Sequence, residues 1–322
     1  MIFKKILLFN PMISSLNLGD HIIYDSFKNE LGFILNESFV SEISTHLPIS
    51  NYLSNFRSFD YRFVCGSNLI RGKMNKSFRQ WDINLCQVSL LKPLILVGVG
   101  WWQYGDEPNL YSKILYKNIL SKKYIHSVRD EYTKNQFTKM GIYNVVNTGC
   151  PTMWKLTKSH CNSIPLNKSS KVVFTLTDYN QDSVKDKKLI EYCLKNYKEV
   201  FFWPQGSNDI DYFNKLNVSH VNLTILNPTL SKYDEFLNSS KDIDYIGTRL
   251  HAGIRALQFK KRSIIIGIDN RSLEKKKDFN LVVLPREEID KLDLMINQSF
   301  QTNIKLNNSE IKTWISQFKK KN

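Results

Sequence analysis

A chain of 322 residues, 42% hydrophobic and 23% charged, can bury a sizeable core and is long enough for two domains. Its 5 cysteines are dispersed without C-x-x-C spacing, which argues against a disulfide frame or a zinc site and for reduced thiols in a cytoplasmic protein. No apolar stretch approaches membrane length, and the run after Lys5 is too short for the core of a signal peptide.

The formal net charge is +15, but the lysines are spread along the chain, with small clusters only at Lys275–Lys277 and Lys319–Lys321. No basic stripe with interleaved aromatics is present, so nucleic acid is not an expected partner. Compositional drift ranks first among the sources of the charge. An anionic substrate, or peripheral contact with an anionic membrane, ranks second.

Residues 1–10 read as a first β-strand. The loop Asn17-Leu18-Gly19-Asp20 then leads into a helical pattern with Ile22, Ile23, Phe27 and Leu31 on one face and Gly32 at its end. Asp20 stands where an N-cap belongs. Strand-like runs follow at Tyr61–Cys65 and Leu94–Gly100. The second is unalternating, as a central parallel strand should be, and it empties into the aromatic loop Trp101–Gly105. A further unit comprises Tyr124–Val128, Arg129-Asp130, a helix from Glu131 to Met140, and a strand from Tyr143 to Asn147.

Leu156–Ser170 is polar and aperiodic and reads as a linker. A second series follows it: strands at Lys171–Leu176, Val200–Trp203 and Val221–Leu226, with helices around Lys188–Tyr197 and Leu230–Leu237. After these come the stretch Asp244–Arg271, a strand at Leu281–Leu284 and a terminal helix at Ser309–Lys319. Two βα series predict an α/β protein of two Rossmann-like domains, 1–158 and 171–322, facing across a cleft, with the terminal helix packing back on the first.

Asp244–Arg271 carries the strongest functional signal. A short apolar run ends at Gly247, a helix opens on Thr248-Arg249-Leu250-His251, and a strand runs into the charged turn Asp269-Asn270-Arg271. A helix N-terminus offers free N–H groups and partial positive charge, and Arg adds a planar fork for carboxylate or phosphate. No P-loop, metal motif or complete G-x-G-x-x-G accompanies it.

With Gly247–Ala256 and Ile264–Arg271, the chain resembles the polysaccharide pyruvyltransferase family. Asn17–Asp20, Ser127–Asp130, Asn147–Trp154, Asn227–Leu230 and Asp234 agree with it in the same order. Cys150 departs from it, standing where many members carry an acidic residue. The resemblance implies a GT-B-like fold and transfer of pyruvate from phosphoenolpyruvate to two hydroxyls of a sugar, giving a cyclic ketal and phosphate. It places donor binding at Arg129, Arg249, Leu250 and His251, with no cofactor and no metal. The acceptor would belong to a cell-surface polysaccharide or a lipid-linked precursor, so the expected location is the cytoplasm, with room for peripheral contact at the inner face of the membrane.

Ketal formation needs a proton delivered to the enol carbon, and His251 suits a general acid near neutral pH. Asp20 can orient or deprotonate an acceptor hydroxyl, or only cap its helix. Asn17 belongs to the same motif, and Asn270 ends a strand at the expected cleft. Trp101 and Trp102 can stack on a sugar ring or simply pack. Arg129 has an alternative partner in Asp130. The rival function is a nucleotide-sugar glycosyltransferase of the same architecture, in which Arg249 would bind a diphosphate and His251 would act as base.

Overall fold

Strand β1 (Lys4–Asn10) shows why the first half of the chain forms a buried sheet. Side chains alternate across a strand, so Leu7 and Phe9 join the core on one face while Ile6 and Leu8 join that on the other. The computed structural model describes residues 3–49, 58–76, 80–218 and 223–319. Their contacts divide the chain into two units: Met1–Ser15, Ile23–Trp154 and Leu306–Asn322 form one, and Leu16–Ile22 with Lys155–Lys305 form the other.

In the first unit, β1 lies between β2 (Ser38–Ser44) and β3 (Tyr61–Cys65), and β4 (Ile95–Val97) completes a parallel sheet in the order β2-β1-β3-β4. A parallel pair, β5 (His126–Val128) and β6 (Val145–Asn147), continues it through a bridge between Val99 and Val128. The terminal helix, Asn308–Ser316, contributes Ile311 and Trp314 to the same core as Ile6, Phe63 and Trp154, with Phe318 just beyond it. That helix therefore folds with the first unit.

The second unit is one parallel sheet in the order β12-β11-β10-β7-β8-β9. Its strands are β7 (Lys171–Thr175), β8 (Glu199–Phe202), β9 (Leu223–Ile225), β10 (Ile243–Gly247), β11 (Ser263–Gly267) and β12 (Val283–Pro285). Strands β10 and β11 are buried along their whole length, as continuous apolar runs in a covered parallel sheet should be.

Several expectations change. Asp20 does not cap the first helix, which spans Leu18–Glu30; Asn17 precedes it, and Asn17 Oδ1 accepts the Gly19 N–H. The polar stretch 156–170 is packed structure belonging to the second unit. Thr157 caps the helical turn Lys158–Cys161, His160 Nε2–H donates to the Leu257 carbonyl at 2.8 Å, and Ser170 N–H donates to Asp242. Its polar residues serve as caps and cross-links. The turn at Asp269–Arg271 opens a full helix, Asn270–Phe279, capped by Asp269 and closed by Asn280 at φ 57°. Strand β2 and the helix Leu110–Ile119 were not expected. Of the expected strand at Val221–Leu226, Val221 and Asn222 lie outside the described residues, as do Lys320 and Lys321. The cysteines are free thiols, and no helix among the described residues is long and apolar enough to cross a membrane.

Candidate active site

The second sheet reverses direction between β7, where its chain enters, and β10, where it resumes on the other side. At such a switch point the loops beyond the strand ends part and leave a crevice for ligand. Gly247 ends β10 so close to β7 that a Cβ there would lie 2.4 Å from Thr175 Oγ1 and 2.7 Å from its backbone nitrogen. Thr175 Oγ1 bonds Tyr245 Oη at 2.6 Å, and Thr177 Oγ1 bonds Thr248 Oγ1 at 2.8 Å. This seam fixes where Arg249 emerges. The helix Leu250–Gln258 starts directly after it, with Arg249 as an N-cap that makes no side-chain cap. His251 is half-buried in the first turn, and Leu250 is buried beside it.

Arg249 is 3% exposed and densely held. Its Nε–H is shared between the Leu176 carbonyl at 2.9 Å and Asp209 Oδ2 at 3.0 Å. Nη2 donates to Asp178 Oδ1 at 2.7 Å and closely to Asp209 Oδ1. Asp209 also accepts the backbone N–H groups of Asp178, Gln205 and Gly206, so its carboxylate is satisfied on both oxygens. Burial works against the Arg249 charge, but the Asp209 carboxylate outweighs it and the guanidinium pKa is raised. Nη1 has no hydrogen-bond partner among the described residues. With two carboxylates against one guanidinium, the cluster offers directed donors without net positive charge.

The loop that carries Asp209 also receives the Asn17–Asp20 turn. Asn17 and Gly206 form an antiparallel bridge, Leu18 N–H donates to the Gln205 carbonyl at 2.9 Å, and Gln205 Nε2 donates to Asn17 Oδ1 at 2.9 Å. Asn17 Nδ2 in turn reaches Asp20 Oδ2 at 3.4 Å, and Asp20 is buried. Gly206 is where Arg249 passes over the loop: a Cβ there would sit 2.2 Å from Nη2. The N-x-G-D turn and the R-L-H helix start therefore meet on the segment Gln205–Asp209.

A second arginine borders the cluster. Arg271 Nε–H donates to Asp269 Oδ2 at 2.8 Å, and Nη2 closely approaches the Tyr179 hydroxyl. The Tyr179 ring lies 5.2 Å from the Arg249 guanidinium carbon and 5.7 Å from that of Arg271, yet the residue is 57% exposed. Asn270 is buried at the first position of the helix after β11.

In the first unit, Arg129 follows β5 and is 4% exposed. Nε–H donates to Asp130 Oδ2 at 2.9 Å and Nη2 to the Trp101 carbonyl at 2.9 Å; Nη1 has no partner among the described residues. Asp130 caps the helix Glu131–Lys139 through the Thr133 N–H at 2.8 Å. Burial pushes the Asp130 carboxyl up, but Arg129 and the Thr133 donors outweigh it and hold it below the usual carboxylate range. Gly100 is the floor beneath Arg129, since a Cβ there would lie 2.0 Å from Nε. Trp101 is 0% exposed, its indole N–H bound to the Asp106 carbonyl, so its ring offers no face to a sugar and the stacking role does not fit it. Trp102 is half-buried, with the Arg71 guanidinium 4.4 Å from its ring. Cys150 is buried beside the glycine loop that closes β6.

Sequence reasoning missed Asp178, Tyr179 and Asp209, and left Gln205 without a role. The available signal was position alone: Asp178 and Tyr179 lie in the loop past the carboxyl end of β7, and Asp209 opens the helix Asp209–Lys215 that follows β8.

The profile of the family described as polysaccharide pyruvyl transferase matches residues 17–270, well over half of the chain. No curated protein sequence matches it. Among solved structures, the chain is similar to S. aureus MnaA in complex with UDP, with TM-score 0.54, 11% identity and 99% of each chain covered. It is also similar to a putative UDP-N-acetylglucosamine 2-epimerase from Listeria monocytogenes, with TM-score 0.50, 11% identity, and 92% of this chain and 89% of that one covered. At such identities the likeness concerns the fold, which is α/β and GT-B-like.

Proposed function

Because the chain belongs to the polysaccharide pyruvyl transferase family, we propose that it transfers pyruvate from phosphoenolpyruvate to two hydroxyls of one sugar, forming a cyclic ketal and releasing phosphate. The observation that carries this reading is the meeting of the Asn17–Asp20 turn and the Arg249–His251 helix start on the Gln205–Asp209 loop at the switch point. It joins a carboxylate suited to an acceptor hydroxyl with directed donors suited to an anionic donor.

In the first half of the reaction, a sugar hydroxyl attacks the carbon that bears the phosphate while the terminal methylene takes a proton and becomes a methyl group. His251 gives that proton, and Asp20 takes the one the hydroxyl loses. In the second half, the neighbouring hydroxyl replaces phosphate at the same carbon: Asp20 returns its proton to the leaving phosphate, and the now neutral His251 takes the proton that the second hydroxyl loses, so both groups regain their starting states. Arg249 Nη1 and the N–H groups of the helix start bind one anionic group of the donor. Leu250 closes the apolar side. Asn270 sits at the neighbouring helix start. Arg129, in the first unit, is proposed as an anion-binding residue through Nη1. The same proposal includes peripheral action at the cytoplasmic face of a membrane, which the net charge of +15 would suit.

The test is to incubate the protein with phosphoenolpyruvate and a panel of glycans, following phosphate release and the mass gained by the sugar. A rise in melting temperature with phosphoenolpyruvate but not with UDP-sugars supports the proposal. The reverse pattern favours the nucleotide-sugar rival and removes the proposal. His251→Asn should lower kcat by a factor on the order of 10²–10⁴ with the melting temperature nearly unchanged.

A further inference from the structure

Trp101 is buried and cannot stack on a sugar, but the switch point of the second sheet carries an aromatic ring that solvent reaches. Tyr179 lies in the loop after β7 and is 57% exposed. A single exposed aromatic is ordinary. This one is also held in place. Its hydroxyl accepts from Arg271 Nη2, and the guanidinium carbons of Arg249 and Arg271 lie 5.2 Å and 5.7 Å from the ring centre. On one side of it in the chain, the Asp178 N–H donates to Asp209 Oδ1 at 3.1 Å. On the other, Asn180 Nδ2 donates to the Ile268 carbonyl at 2.9 Å, and Arg286 donates to the Asn180 carbonyl at 2.6 Å and to its Oδ1 at 2.9 Å. A ring fixed in this way loses little further freedom when a ligand covers it.

The polar groups around the ring indicate what that ligand is. The side chains of Asp178, Asp269 and Arg271 are 20%, 22% and 20% exposed, so a ligand on the ring can reach them. Asp178 pairs with Arg249 and Asp269 with Arg271, which leaves no excess of either sign at the rim. Acceptor capacity remains at Asp178 Oδ2, whose one contact among the described residues is Asn208 Nδ2 at 3.4 Å. Donor capacity remains at Arg271 Nη1, which has no hydrogen-bond partner among the described residues. Acceptors and donors side by side around an aromatic face match a sugar ring. Its hydroxyls both donate and accept, and its C–H groups make an apolar face. A phosphate or carboxylate would use the donors alone.

We propose that Tyr179 is the sugar-stacking residue of this site, with Asp178 and Arg271 taking hydroxyls of the same sugar. The inference rests on the pyruvyl-transfer reading and deepens it by assigning the acceptor to the loop after β7.

Two variants separate stacking from support of the arginines. Tyr179→Ala removes the ring, whereas Tyr179→Phe keeps it and loses only the bond to Arg271. With phosphate release as the assay, the Ala variant should raise the acceptor KM about tenfold and the Phe variant by no more than about threefold, with the KM for phosphoenolpyruvate within about twofold of wild type in both. An unchanged acceptor KM in the Ala variant overturns the stacking role. Equal losses in the two variants overturn it as well, because the hydroxyl and not the ring would then matter. So do equal rises for donor and acceptor, which would make Tyr179 a support of Arg249. Binding is read separately by saturation-transfer NMR without phosphoenolpyruvate, using the methyl glycosides of glucose, galactose, mannose and N-acetylglucosamine as probes. Wild type and the Phe variant should transfer saturation to the ring C–H protons of at least one probe, and the Ala variant to none. If the wild-type protein releases no phosphate from phosphoenolpyruvate with any sugar, the pyruvyl reading fails by itself. The NMR measurement then decides the stacking role, and no transfer to any probe in the wild type removes it.

Discussion

Arg129 and Arg249 are two solutions to one problem, and they differ in where the solution is written. Each follows a parallel strand, each lies against a glycine of a neighbouring loop, and each is held by a carboxylate that also accepts at least one backbone N–H. Arg129 takes its carboxylate from the next residue, and that same Asp130 caps the helix that follows. Arg249 leaves its own helix without a side-chain cap and draws carboxylates from Asp209 and Asp178, 40 and 71 positions away. The first arrangement is local and self-sufficient. The second gathers three loops of its sheet around one guanidinium, which is the better design for a ligand site.

That contrast can be broken most directly at the carboxylates. Asp209→Ala strips a buried guanidinium and several N–H groups of their acceptor and should cost about 3–5 kcal/mol in urea unfolding. Asp130→Ala should cost somewhat less, because its contacts lie within one turn. If Asp209→Ala costs under about 1 kcal/mol, Arg249 is not locked as described. The glycines come next. Gly100→Ala meets Arg129 at Nε, Cζ and Cδ and should cost about 2–3 kcal/mol, whereas Gly206→Ala meets chiefly the tip of Arg249 and should cost about 1–2 kcal/mol.

Arg129→Lys and Arg249→Lys keep the charge and lose the fork. If both serve the donor, each should raise the KM for phosphoenolpyruvate by about tenfold and spare that of the acceptor. A change confined to Arg249 would make Arg129 purely structural and sharpen the difference between the two.

The smallest effect is one of pH. The Asp130 carboxyl titrates below its unfolded value, so its contribution is fully present above about pH 4 and is lost as pH falls through the folded pKa. Melting curves of wild type and Asp130→Asn should therefore differ by a constant amount near neutrality and converge in acid. Curves that stay parallel down to about pH 2 would contradict it.

The sheets were legible because buried parallel strands are mostly apolar runs: β7 and β11 are such runs, and β3 and β10 each break theirs with one charged residue, Arg62 and Asp244. Strand β2 was not, because most of its residues are exposed and carry no burial pattern. The helix Asn270–Phe279 was hidden by its charge, since few apolar residues mark its inner face. At the site, Arg129 with Asp130 could be read as neighbours in sequence. Arg249 was readable as a group at a helix mouth, but its partners were not, because pairing over such separations leaves no local pattern. Trp101 misled for a related reason: an aromatic after a strand has the same appearance whether it faces ligand or core.

The order in which the chain visits its two units has a consequence for biosynthesis. The first unit includes residues 306–322, and Trp314 and Phe318 pack there with Phe63. A nascent chain halted anywhere before residue 306 would hold a sheet with part of one face uncovered, and a chaperone would find its binding surface there. The second unit likewise needs residues 16–22, so neither unit can be cut out as one continuous segment.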